Sequence, residues 1–316
     1  MRLLFVMDPI ERILPDKDTT FVFMLEAQER GHEVYYTLVD DLYVRAGTAR
    51  ARVWDVRVRR PTDDDPGHGT IGQHAEVDLD SFDAIFMRKD PPFDMRFFYS
   101  THILGLVDPS KCLVLNKPAG LRDANEKLYA LHFPTVIPET LVTCDMKRIK
   151  GFVDDMGGDA IIKPLDGAGG AGIFHLRRDD RNLNSILEYA TDEGRRMIMA
   201  QRYLPEVRVG DKRLIVLDGE PLGAVLRVPR HDDTRSNIHV GGTCEKVSVN
   251  DRDREIVATL APRLRQDGLY FVGLDIIGDW LTEVNVTSPT GIQEINTLDG
   301  VRLEAKVIDF VEKSAP

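Results

Sequence analysis

The first part of this chain predicts an open α/β sheet, and the last part predicts antiparallel hairpins. Three observations carry this reading. Residues 2–7 form a short apolar run, Thr19 to Arg30 reads as a helix stopped by Gly31, and Glu33-Val-Tyr-Tyr-Thr-Leu38 is a second apolar strand, so the start is a βαβ unit. Two further strands, Ala84-Ile-Phe-Met87 and Leu113-Val-Leu115, run into the polar tails Arg88-Lys89-Asp90-Pro91-Pro92 and Asn116-Lys117-Pro118. Near the other end, Gly273 to Pro289 reads as two apolar strands around a turn that carries two carboxylates and a carboxamide.

Composition sets the outer limits. At 316 residues with 42% hydrophobic content the chain can build two or three lobes around a large core. The opening apolar run ends at Asp8-Pro9 with no small-residue cleavage site after it, and no stretch approaches a membrane span. Cys112, Cys144 and Cys244 are odd in number and far apart, which argues against a disulfide frame or a zinc site and suits a reducing cytoplasm. A net charge of −11 argues against general nucleic-acid binding, so an anionic small substrate would need a local basic cluster.

Taken in order, the polar tails after residues 87 and 115 are candidate substrate contacts, because ligands of open α/β sheets gather at the carboxyl ends of strands. Arg88, Lys89 and Asp90 belong to the first tail and Asn116 to the second. Between Arg45 and Glu76 the chain is rich in Arg and Asp, and partial alternation from Arg50 to Arg59 predicts an exposed excursion with a solvated strand. Asp123-Ala-Asn-Glu126 resembles a capping box and predicts a helix through about Phe133, with a domain boundary near residue 120.

Next, the strand Ala160-Ile-Ile-Lys163-Pro164 enters the glycine loop Asp166 to Gly172 and leaves by the strand Ile173 to Leu176. A P-loop needs Gly-Lys-Ser/Thr, and both a P-loop and a dinucleotide fingerprint need a helix after the glycines; neither pattern is present. A glycine flap that closes backbone N–H groups over phosphates, with Lys163 as fixed positive charge, stands against a plain surface hairpin. Met197 to Pro205 reads as a strand breaking into a hinge whose backbone could meet a nucleotide base. Asp211 to Leu217 and Leu222 to Val228 form a hairpin around Asp218-Gly219, and the polar loop Pro229 to Gly242 is long enough to be an active-site lid. Helices are expected over Asp251–Gln266 and Gly300–Glu312.

Pleat parity makes the last hairpin testable. Side chains alternate faces, so a three-residue loop Gly278-Asp279-Trp280 sets Ile277 opposite Leu281 and Asp275 opposite Glu283, with Asn285 on the same side. A two-residue Gly278-Asp279 turn sets Asp275 opposite Thr282 and separates the carboxylates. Oxygen-only ligands on one face suit Mg²⁺, and the metal reading therefore predicts the odd loop. An amphipathic hairpin with a merely solvated acidic face is the competing reading.

Together these segments resemble the ATP-grasp superfamily and, within it, the bacterial glutathione synthetase family. The resemblance covers essentially the whole chain, and its most specific parts are Met87-Arg88-Lys89-Asp90-Pro91-Pro92-Phe93-Asp94 and Leu281-Thr-Glu283-Val-Asn285-Val-Thr-Ser288-Pro289. It implies an N-terminal α/β domain over 1–120, a central lid lobe over 121–200 and a C-terminal α+β lobe over 201–316, with ATP between the last two. Carried over by position, Lys127 and Lys163 would touch phosphates, and Gly167, Gly169 and Gly170 would lie in the flap. Gln201, Tyr203 and Leu204 would hold adenine, and Asp211 the ribose or phosphates. Asp275, Glu283 and Asn285 would bind two Mg²⁺ ions, for which Mn²⁺ could substitute. Arg213 and Arg227 would face the transferred phosphoryl group, while Arg235, Asn237, Ser288 and Pro289 would help enclose a dipeptide, the three arginines counting as catalytic. Ser236 departs from the glycine that many members carry in the long lid. The implied activity joins γ-glutamylcysteine to glycine through an acyl phosphate, in a cytoplasmic dimer or tetramer without nucleic-acid or membrane partners. Another ATP-grasp ligase, joining D-alanines or adding glutamate, is the nearest alternative. A phosphotransferase or an ATP-binding regulatory module is a further one.

Overall fold

A computed structural model describes residues 1–167, 169–229 and 242–316. Its N-terminal sheet contains β1 (Arg2–Val6), β2 (Glu33–Thr37), β3 (Leu42–Arg45), β4 (Thr48–Val58), β5 (Gly69–Asp78), β6 (Ala84–Met87) and β7 (Leu113–Leu115). The order is β3-β4-β2-β1-β6-β7, with β5 on β4; β1 pairs in parallel with β2 and β6, and β6 with β7. The βαβ start is therefore present. Its helix α1 (Thr19–Glu29) is capped by Asp18, whose carboxylate accepts from Phe21 N at 2.8 Å, and Gly31 follows in the left-handed region at φ +82°. Phe5 stacks on Phe86 at 4.6 Å, and Phe23 of α1 meets Phe271 edge-on at 5.3 Å. Each such buried ring stabilises the fold by roughly 1.5–3 kcal/mol.

The 45–76 excursion is only partly solvated. β4 buries Ala51, Val53, Val56 and Val58, while β5 is exposed almost throughout. Three of its arginines face acids: Arg50 meets Asp78 at 2.6 Å, Arg52 meets Glu76 at 3.3 Å and Arg59 meets Asp65 at 2.5 Å.

α2 (Met95–Leu104) and α3 (Pro118–Asp123) flank this sheet. The expected helix from 123 to about 133 is corrected here. Pro118, with its preset φ, starts α3 five residues earlier than expected, and a short 3₁₀ turn covers Leu128–His132. Asn125 caps that turn, accepting from Lys127 N at 3.1 Å and Leu128 N at 3.0 Å. Glu126 does not close a capping box, because its carboxylate accepts from Thr287 Oγ1 at 2.9 Å and Val286 N at 3.2 Å instead.

A second sheet has the order β10-β9-β11-β8, formed by β8 (Thr140–Thr143), β9 (Asp159–Pro164), β10 (Phe174–Arg177) and β11 (Ile198–Arg202). It is covered by α4 (Met146–Asp155) and α5 (Leu183–Ala190), whose Ile149, Phe152, Val153 and Leu187 close a separate small core.

The third sheet contains β12 (Asp211–Leu217), β13 (Glu220–Val228), β14 (Thr243–Lys246), β15 (Phe271–Ile277) and β16 (Trp280–Asn285), in the order β14-β13-β12-β15-β16. α6 (Asp251–Asp267) begins with a capping box between Asn250 and Asp253 and ends at Gly268, φ +67°. The helix expected over Gly300–Glu312 is two helices, α7 (Ile292–Asp299) and α8 (Leu303–Ser314). Gly300, at φ +66°, ends the first of these and does not open the second.

Asn116 fastens the N-terminal sheet to the third. Its Nδ2 donates to Phe271 O at 2.8 Å and Val286 O at 3.0 Å, and its Oδ1 accepts from Phe271 N at 2.8 Å. All three bonds are buried.

Candidate active site

The β15–β16 hairpin corrects the parity argument while keeping its result. Ile277 pairs with Trp280 and Ile276 with Leu281, so the turn is the two-residue Gly278-Asp279, not the predicted three-residue loop. Gly278 takes the left-handed conformation there, φ +58°. One step further, Thr282 is an extra residue on β16, and this bulge restores Asp275 opposite Glu283 and Gly273 opposite Asn285. The bulge is pinned by Thr282 Oγ1 donating to Asp275 O at 3.1 Å.

On the same sheet β12 lies between β13 and β15. Asp211 is paired with Arg227 and Arg213 with Asp275, and because Asp211 and Arg213 are two residues apart, all four side chains share a face. Arg213 grips Asp275 with two bonds, Nε to Oδ1 at 2.5 Å and Nη2 to Oδ2 at 3.0 Å. Arg227 Nη2 lies 3.0 Å from Asp275 Oδ2 and also donates to Asp211 Oδ2. Burial works to raise the Asp275 pKa, but the charges of Arg213 and Arg227 prevail and hold it well below the usual carboxylate range.

Asp211 goes the other way: burial pushes it up to about 6, against the pull of Arg227 and with the help of Asp275. A carboxyl raised by folding weakens the fold above its folded pKa, and that penalty fades as pH falls through it towards the unfolded value of about 3.9. The wild type should therefore gain about 1 kcal/mol relative to Asp211→Asn between about pH 7 and about pH 5. Paired urea titrations at the two pH values would read this; a gap that stays constant or widens in favour of the variant would mean that Asp211 stays ionised throughout.

Two lysines face this cluster. Lys127 Nζ donates to Gly167 O at 2.6 Å and lies 3.7 Å from Glu283 Oε1. Lys163 Nζ donates to Gln201 Oε1 at 3.1 Å, and Gln201 Nε2 donates on to Thr140 Oγ1 at 3.0 Å. Burial lowers the Lys163 pKa, opposed by the charge of Glu283. Gln201 thus serves first as a bracket for Lys163, a role its sequence position did not suggest. Tyr203 stacks on His175 at 4.1 Å, with His175 Nε2 at 2.8 Å from Asp159 Oδ1, while Leu204 is buried beside them.

These groups meet in one cavity of about 960 Å³. Its wall includes Asp275, Glu283 and Asn285, both lysines, Arg213 and Arg227, Asp211, Gln201, Tyr203 and Leu204, and Gly167, Gly169 and Gly170. Arg88, Asp90, Ser288 and Pro289 line it as well. Arg88 is 4% exposed, donates from Nη2 to Pro289 O at 3.0 Å and from Nε to Thr20 Oγ1 at 3.1 Å, and burial pushes its pKa down to about 10.

Some expected contacts are not brought there. Lys89 turns to Asp8 at 3.1 Å and does not line the cavity. Asn116 is used between the sheets, as described above, and Lys117 lies over the Tyr270 ring at 5.8 Å. Arg235 and Asn237 lie outside the described residues, as does most of the proposed lid at 229–242. Sequence reasoning missed Glu126, His175 and the β1–α1 loop with Arg12, Lys17 and Asp18, all of which line the cavity. The loop follows the carboxyl end of β1, so the rule that flagged Arg88 would have found it.

Among the described residues no group of three or more His, Cys, Asp or Glu side chains is arranged to hold a metal. The donor set of Asp275, Glu283 and the Asn285 amide is nevertheless all oxygen. Asn285 Nδ2 donates to Gly273 O at 3.2 Å, which leaves Oδ1 to accept, and Asp275 keeps lone pairs beyond those its arginines use. A hard divalent cation fits this set.

The family model described as "Prokaryotic glutathione synthetase, N-terminal domain" matches residues 1–122, and "Prokaryotic glutathione synthetase, ATP-grasp domain" matches residues 126–300. Glutathione synthetase of Gloeobacter violaceus is 48% identical, over 100% of this chain and 98% of that protein. The Brucella melitensis glutathione synthetase is 47% identical over 97% of this chain and 96% of its own length. In fold, the chain is similar to the D-cycloserine synthetase DcsG, with a TM-score of 0.68 at 14% identity over 99% of this chain and 100% of that one. It is also similar to the ATP-grasp ligase PsnB complexed with minimal precursor, Mg and ADP, with a TM-score of 0.63 at 16% identity over 99% of this chain and 98% of that one. With relatives this similar along its full length, the chain belongs to the prokaryotic glutathione synthetases, ATP-dependent ligases of the ATP-grasp fold that make glutathione.

Proposed function

We propose that this cavity activates the cysteinyl carboxylate of γ-glutamylcysteine by taking the terminal phosphoryl group of ATP, and that glycine's amine then attacks the acyl phosphate and expels phosphate. The observation that carries the reading is the meeting of four cations, Lys127, Lys163, Arg213 and Arg227, with Asp275 and Glu283 in one cavity. Phosphoryl transfer depends on positioning and charge stabilisation, and needs no protein nucleophile. The lysines and Arg227 would receive the nucleotide's phosphates, and Arg213 would stabilise charge on the transferred group. Gln201, Tyr203 and Leu204 would seat the base, with Asp211 at the ribose or phosphates. Gly167, Gly169 and Gly170 would close over the phosphates and exclude water, and Arg88, Asp90, Ser288 and Pro289 would hold the dipeptide. Arg235 and Asn237 would complete the enclosure.

Asp275, Glu283 and Asn285 would hold two Mg²⁺ ions, which supply charge neutralisation to the transferring phosphoryl group. A division into lobes at residues 1–120, 121–200 and 201–316 is part of the proposal, supported by the three separate sheets, with β11 (Ile198–Arg202) carrying the second sheet slightly past residue 200. No helix among the described residues is long and apolar enough to cross a membrane, and Cys112, Cys144 and Cys244 are free thiols. Cytoplasmic residence and a dimer or tetramer are part of the proposal.

The test is ADP release with γ-glutamylcysteine and glycine together, with each alone, and with D-alanine as the amine. Release should need the dipeptide and give glutathione only with glycine. Release indifferent to glycine, with no peptide formed, would point to a phosphotransferase or an idle ATPase.

A further inference from the structure

The exposed β4–β5 hairpin has no place in the mechanism above, yet its tip touches the loop that walls the cavity. The loop between β1 and α1 places Asp8, Arg12, Ile13, Leu14, Lys17 and Asp18 on that wall. Behind it, Arg60 Nη1 donates to Pro15 O at 3.0 Å and to Gln293 Oε1 at 2.7 Å. Gln293 Nε2 donates to Pro15 O at 3.1 Å and to Asp18 O at 2.6 Å. Two further contacts join the hairpin to this region: His68 Nε2 lies 2.7 Å from Ile10 O, and the Arg60 guanidinium sits over the Phe21 ring at 5.6 Å.

Gln293 is 5% exposed and stands in the first turn of α7, four residues beyond Pro289. Pro289 in turn accepts from Arg88, which also donates to Thr20 at the start of α1. The loop is thus held at its ends from both sides, by Arg88 within the cavity and by Arg60 with Gln293 behind it. Neither Arg60 nor Gln293 lines the cavity. On the loop itself Arg12 and Lys17 are exposed, and among the described residues neither forms an ion pair, so both are available to a carboxylate.

We infer that Arg60 and Gln293 are positioning residues: their interlocked side chains latch the β1–α1 loop, which brings Arg12 and Lys17 to the cavity wall, to the base of α7 and so set affinity for the dipeptide, not for ATP. The inference rests on the dipeptide placement proposed above. A misplaced wall costs binding to whatever the wall touches, and the phosphate groups on Lys127 and Lys163 belong to other elements.

The test is steady-state kinetics of the full chain. Arg60→Ala and Gln293→Ala should each raise KM for γ-glutamylcysteine by about tenfold, with KM for ATP and kcat within about two- to threefold of wild type. The exchanged variant R60Q/Q293R keeps a guanidinium and a carboxamide in contact, and should recover most of the lost affinity. KM for ATP rising in parallel, no change in either constant, or an exchanged variant no better than the single ones would each overturn the latch. Wild-type protein that makes no glutathione from the dipeptide would overturn both the latch and the functional reading, whereas a working wild type with a normal Arg60→Ala removes the latch alone.

Discussion

Glu283→Gln should leave the protein folded and lower Mg²⁺-dependent glutathione formation by roughly 10²–10³-fold, the scale on which loss of one charge-stabilising group acts in such sites. Glu283 does little else in the fold. It is part-exposed, and its nearest cation, Lys127 Nζ, is 3.7 Å away, beyond hydrogen-bond reach. No fold-bearing bond is therefore broken by an isosteric amide. Removing the charge, however, takes away one of the two carboxylates that make the hairpin face attractive to a divalent cation. Activity should recover partly at high Mg²⁺, because the lost interaction is a binding one. Circular dichroism and a thermal midpoint near wild type, together with a large rise in the Mg²⁺ concentration needed for half-maximal rate, are the expected readings. A folded variant with near-normal turnover at limiting Mg²⁺ would remove Glu283 from the metal set.

That shared face is legible in the sequence, and the reason it is legible is also why its turn is misread. The two-residue period of a strand is local, so Asp275, Glu283 and Asn285 could be placed together from spacing. The Thr282 bulge was not readable, because it answers the twist of a whole sheet and its pairing with β12, which no window around residue 280 contains. A similar limit applies to Glu126 and Gln201. Glu126 reads as part of a capping box from its neighbours in sequence, but its partner is Thr287, and the bond of Gln201 to Lys163 is equally absent from any local window. Asn116 is the clearest case: at the end of a parallel strand it reads as a ligand contact, but three buried backbone groups of the third sheet claim it. α1, which Gly31 stops, α6 and the hairpins are legible in the sequence; α2, α4, α5 and α7 are not among the elements it predicts, and α7 offers no side-chain cap to mark its start.

The contrast with Glu283 defines what Asp275 should do. Asp275→Ala is expected to destabilise the protein by about 3–5 kcal/mol and to abolish activity, because the carboxylate is buried against two guanidiniums and its loss leaves charge uncompensated. Among the described residues, Arg213 would keep only its bond to Thr290 O at 3.3 Å, and Arg227 would depend on Asp211 alone. The pH dependence separates this from a simple packing loss. A carboxyl whose folded pKa is depressed contributes stability above its unfolded pKa of about 3.9 and loses it as pH falls through the lower folded value. The stability gap between wild type and Asp275→Asn should accordingly stay level from neutral pH down to about 4 and shrink only below that. Urea unfolding across that range reads it directly. A gap that widens in favour of the wild type between about pH 7 and about pH 5 would mean that Asp275 takes up a proton in the native state, and the two arginines would then have to be balanced by Asp211. Should the gap behave as expected, the same measurement explains why the hairpin carries two unlike carboxylates: Asp275 is committed to holding Arg213 and Arg227 in place, and Glu283 is left with charge to spare for the ligand.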